Sequence, residues 1–88
     1  MIVTKKDVVE TLLKYINRKI DLPILVNWAE DAVREADLET ENSELIRDIC
    51  SQIGLSDMRE FGLTWDDCYD YLRRLGYGVK VEPLEAKQ

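Results

Sequence analysis

Four times along the chain, apolar residues recur at spacings of three and four behind a residue that can cap a helix, and this repeated pattern constrains the fold more than any other feature. Thr4 followed by Asp7 reads as an N-cap with an acid in the first turn. Val8, Val9, Leu12, Leu13, Tyr15, Ile16 and Ile20 then share one wide face, which predicts a first helix from Lys5 to Lys19. Asp21 caps a second, in which Pro23 is tolerated in the first turn and Leu25, Trp28, Ala29, Ala32, Val33 and Ala36 line one side as far as Asp37. The short connection makes these two helices antiparallel neighbours. Leu45, Ile46, Ile49, Cys50 and Ile53 define a third helix, which Gly54 is expected to stop in the left-handed conformation. Ser56 to Phe61 adds one further turn, ended by Gly62.

A fourth helix begins in the stretch LTWDDCYDYLRRLGYG, where Thr64 and Asp67 repeat the cap seen at Thr4 and Asp7. Asp66 and Asp67 suit the positive end of the helix dipole, Arg73 and Arg74 suit the negative end, and Gly76 terminates it. At 100° per residue Trp65, Cys68, Leu72 and Leu75 lie together, so Trp65 is expected in the core. The aspartates and arginines that make this stretch resemble a site thus all have helical roles.

Beyond Gly76, Val79 and Val81 alternate with Lys80 and Glu82 as in a short strand. Ile2-Val3 is the other β-branched segment outside a helix, so a ribbon pairing the N- and C-terminal segments is expected. The resulting expectation is an all-α, small four-helix domain spanning residues 1–82, with one extra turn near residue 58 and a frayed tail over residues 83–88. Segment 37–44, DLETENSE, reads as a polar loop with Asn42 and Ser43 nearest the third helix as caps.

Function is bounded mainly by exclusion. The 88 residues contain no histidine and only two cysteines, Cys50 and Cys68, without a C-x-x-C pair. No zinc site of usual spacing and no Ser-His or Cys-His centre can therefore be built, and both thiols are expected free and buried. Apolar runs are too short to cross a bilayer and the start lacks a signal-peptide core, which makes the cytoplasm the expected location. Adjacent acids such as Glu30-Asp31 and Asp66-Asp67 diverge by 100° on a helix, so neither pair converges on one substrate atom. No catalytic, cofactor-binding or metal-binding residue is assigned. A calcium loop starting at Asp37 fails where it needs Gly, at Asn42, and where it needs a bidentate Glu, at Asp48.

Charge gives the leading expectation. The net charge is −6, yet residues 1–20 carry five bases against two acids, while segment 30–48 holds eight acids against Arg34 and Arg47. Acids at Glu30, Asp31, Glu35, Asp37, Glu39, Glu41 and Glu44, with Trp28 as an apolar anchor, are the candidate partner-binding residues, and a basic protein surface is the expected partner. The chain is therefore expected to be a non-enzymatic interaction or regulatory domain of inhibitor-like character. The alternative is a helix-turn-helix-like nucleic-acid module around Ile49-Leu55, disfavoured because Asp57, Glu60, Asp66, Asp67 and Asp70 would face phosphates. A carboxylate-dependent enzyme ranks third.

Overall fold

The computed structural model describes residues 2–58 and 62–78. Four α-helices carry the fold, joined by one short parallel strand pair: β1 (Ile2–Val3), α1 (Lys5–Ile16), α2 (Leu22–Arg34), β2 (Asp37–Leu38), α3 (Ser43–Gly54) and α4 (Trp65–Arg74). Three-residue 3-10 turns lead into α3 at Thr40–Asn42 and follow it at Ser56–Met58. The all-α expectation holds. So does the extra turn near residue 58, over its described part.

Both Thr-x-x-Asp signals form reciprocal capping boxes. The Asp7 amide donates to Thr4 Oγ1 at 3.2 Å and the Thr4 amide to Asp7 Oδ2 at 2.9 Å, while Thr64 and Asp67 exchange the same bonds at 3.1 Å each. Asp21 accepts the Ile24 amide at 3.1 Å, which starts α2. At the other end of α4, Gly76 takes φ +91°. Its amide donates to the Arg73 carbonyl and that of Tyr77 to the Leu72 carbonyl, closing a Schellman motif.

Three boundaries differ from the sequence reading. Helix α1 stops at Ile16 rather than Lys19, because Arg18 adopts φ +60° and the amides of Arg18 and Lys19 turn back to the carbonyls of Tyr15 and Lys14. This is the same motif as at Gly76, with an arginine in the position that favours glycine. Helix α2 ends at Arg34 rather than Asp37, because the chain straightens to pair with β1. Gly54 is the last residue of α3 and lacks positive φ; its bare Cα instead admits α2, since an added Cβ would lie 3.2 Å from Glu30 Cγ.

Segment 37–44 is more than a polar loop. Ile2 pairs with Asp37 and Val3 with Leu38, and the Glu39 amide continues the ladder to the Val3 carbonyl at 3.0 Å. The described partner of Ile2–Val3 is therefore β2; Val79 and Val81, the C-terminal half of the expected ribbon, lie outside the described residues, as does the tail. Parallel pairing requires a long crossover, which α1 and α2 supply. Neither Asn42 nor Ser43 makes the side-chain cap expected at α3: the 3-10 turn runs directly into the helix, and the Ser43 hydroxyl donates back to the Thr40 carbonyl.

The core joins Val3, Val8 and Leu12 to Leu25 and Ala29, to Ile46, Ile49, Cys50 and Ile53, and to Cys68, Leu72 and Leu75. Trp65 is not part of it. It remains 48% exposed while Tyr71 is only 2% exposed. As the first residue of α4, Trp65 has a side chain that leans back past the helix start, away from the turns where Cys68 and Leu72 meet the core. Its ring packs on Tyr15 instead, with centroids 6.5 Å apart and planes inclined by 39°.

Candidate functional site

Three grooves and one clasp divide the acids of segment 30–48. Asp31 of α2 and Glu35, its C-cap, stand four residues apart, and Trp28 and Ala32 form the neighbouring helical row, with Ala36 just past the helix end. Together with Val3 of β1, these five residues line a groove of about 310 Å³. Its apolar walls are the Trp28 ring and Val3. Its space comes from the small side chains at 32 and 36, and its acids are the exposed Asp31 and Glu35. Asp37, one residue past Ala36, is exposed on β2 and outside the groove's lining, since it pairs with Ile2 on the strand face opposite Val3. The candidate anchor Trp28 and two of the candidate acids therefore line one concave surface.

Glu30 faces elsewhere. Adjacent helix positions diverge by 100°, so Glu30 joins Val33 and Arg34 against Cys50, Gly54 and Leu55 in a separate groove of about 330 Å³ between α2 and α3. Arg34 reaches both helix neighbours, lying 3.8 Å from Glu30 and 3.4 Å from Asp31. Such exposed pairs contribute little stability. Glu41 and Glu44 are exposed around a polar depression at the start of α3, away from the Trp28 groove's lining.

Glu39 performs a structural task. Its Oε2 accepts the Lys5 amide at 2.8 Å and the Asn42 side-chain amide at 3.2 Å. One carboxylate from beyond α2 thus satisfies an otherwise orphaned donor at the start of α1 and adds negative charge to that helix's positive end. Asp48 is occupied too, accepting hydrogen bonds from Arg74 of α4 and from Gln52 at 3.1 Å. The Arg74 and Gln52 hydrogen bonds hold its carboxyl below the usual aspartate range. Arg73 pairs within α4, at 2.7 Å from Asp70. Among the described residues, no cation lies within ion-pair distance of Glu35, Asp37, Glu41 or Glu44.

The two thiols are free and buried. Burial pushes Cys50 up to about 12, and burial aided by the neighbouring Asp67 charge pushes Cys68 up to about 11, so both stay protonated and weakly nucleophilic at neutral pH. Among the described residues no three Cys, Asp or Glu side chains converge in a way that could hold a metal ion. No helix of the described residues is long and apolar enough to cross a membrane.

Of the residues that line the Trp28 groove, the sequence reading names Trp28, Asp31 and Glu35 as candidates and does not name Val3, Ala32 or Ala36. A signal for two of these was present, because small residues at i+4 and i+8 from a tryptophan leave a trough beside its ring. Val3 carried no such signal; it reaches the groove only through pairing with β2. No family model matches this chain, and no curated protein or solved structure matches it either.

Proposed function

We propose that the chain is a non-enzymatic binding domain whose Trp28 groove docks a basic, apolar-anchored segment of a partner protein, in the manner of a small inhibitor or regulatory subunit. The observation that carries this reading is the convergence of an apolar trough with acids that have surplus charge. Asp31 and Glu35 line the Trp28 groove, and Arg34 is already shared between Glu30 and Asp31. An apolar residue of the partner fills the space above Ala32 and Ala36, and Lys or Arg side chains meet the rim. Interfaces use aromatic anchors in this way, with rim charges acting chiefly on association rate and specificity. We place this role in the cytoplasm, where the two buried thiols would stay reduced.

Adjacent acids that face different grooves support a binding rather than a catalytic role. A nucleic-acid role fits less well, since the eight acids of segment 30–48 against two bases would repel phosphates. The test is binding of a synthetic peptide that combines Leu anchors with Lys and Arg. Neutralising the rim by Asp31→Asn and Glu35→Gln should slow association and weaken its salt dependence, with the melting temperature nearly unchanged. Association that ignores both salt and the double change would refute the proposal.

A further inference from the structure

A second groove carries the opposite charge. It lies where the end of α1, the start of α2 and the first turn of α4 meet, and encloses about 460 Å³. Ile20, Leu22 and Ile24 form an aliphatic wall and Tyr15 and Trp65 an aromatic one. Ile24 is 52% exposed and Trp65 48%, so two large apolar side chains stand open to water at the same place. Arg18 and Lys19 supply two cations to the lining against the single carboxylate of Asp21, and that carboxylate already accepts the Ile24 amide. Arg18 holds φ +60°, a left-handed conformation that favours glycine. The turn thus keeps a guanidinium on the groove where glycine would suit the backbone better.

We infer that this groove is a second docking surface, one that takes an acidic segment of a partner protein carrying aliphatic or aromatic anchors. Charge complementarity selects the occupant: on a chain of net charge −6, the groove pairs an exposed apolar floor with a local cation excess. A nucleotide fits less well, because the Asp21 carboxylate already caps the amides at the start of α2, where a phosphate would bind. The Tyr15 and Trp65 rings also lean on each other, leaving no parallel slot for a base. The surface is distinct from the Trp28 groove, with which it shares no lining residue. The domain therefore presents two anchoring sites of opposite polarity, as a bridging module requires.

Selection of phage-displayed random peptides on the intact chain tests this inference. The expected winners combine Asp or Glu with Leu, Ile or Phe. As synthetic peptides they should lose affinity about tenfold or more on Trp65→Ala, and comparably on Arg18→Gln with Lys19→Gln, while Glu35→Gln leaves them unaffected. Circular dichroism confirms that each variant is folded, and the loop pair serves if Trp65→Ala is not. Recovery of no peptides, of basic peptides alone, or of peptides indifferent to both changes would overturn the inference. So would tight binding of a labelled oligothymidylate that Trp65→Ala abolishes. Light scattering that shows concentration-dependent dimers, lost on Trp65→Ala, would give the groove to a second copy and overturn it equally.

Discussion

The two tryptophans sit in opposite settings. Trp28 lies mid-helix on α2, partly buried against the core, with Asp31 and Glu35 one helical row away. Trp65 opens α4, half-exposed, with Tyr15 beneath it and Arg18 and Lys19 nearby. Helical phase alone would bury Trp65 and set Trp28 at an edge, and only the first departs from the structure, in which Trp28 is partly buried beside an open groove. What decides the matter is position along the helix: a side chain leans toward its own N-terminus, so a mid-helix residue is covered by neighbouring elements while a first-turn residue overhangs the end.

That contrast gives the largest expected stability difference. Trp28→Ala should cost about 2–3 kcal/mol, somewhat below the range for a fully buried aromatic, and Trp65→Ala about 1 kcal/mol, in denaturant melts of the two variants. The reverse order would mean that α4 starts in a different position from the one described.

A comparable test separates acids that hold the fold from acids free to bind. Glu39→Ala should lower stability by about 1–2 kcal/mol, since it orphans the Lys5 amide and releases Asn42, whereas Glu41→Ala should change it by less than about 0.5 kcal/mol. Thermal melts of the two single variants distinguish them. Equal losses would remove the clasp from the account.

Legibility followed the same division between local and long-range causes. The caps at Thr4, Asp21 and Thr64 and the stop at Gly76 were readable because their partners lie within a few residues. Glu39 was not, because its partner Lys5 is remote in sequence and is brought near only by the pairing of Val3 with Leu38. Two-residue strands carry too little alternation to be recognised in DLETENSE. For the candidate site, the acidic bias of segment 30–48 was plain, but its division was not. Helical phase separates Glu30 from Asp31, and hydrogen bonding occupies Glu39 and Asp48.

Smaller effects sharpen the Trp65 side. Arg18→Gly should stabilise the chain by about 0.5 kcal/mol, because relief of left-handed strain slightly exceeds the added entropy of the unfolded chain, and a melting temperature raised slightly would show it. The Asp48 carboxyl, lowered by Arg74 and Gln52, has the linkage of a depressed acid: its contribution is present above the unfolded aspartate pKa and lost as pH falls through the folded one. Acid titration of stability should therefore fall less steeply in Asp48→Asn than in the parent below about pH 4. Parallel titrations would show that the Asp48–Arg74 contact is absent in solution.

Whether Trp28 anchors a basic partner can be read from its own fluorescence. In a Trp65→Phe background Trp28 is the sole tryptophan. Titration with the Leu, Lys and Arg peptide should shift its emission to shorter wavelength and protect it from iodide quenching, and both changes should weaken as salt rises from about 0.01 to 0.15 M. Saturable peptide binding that leaves Trp28 emission and quenching unchanged would mean that the basic peptide docks away from Trp28.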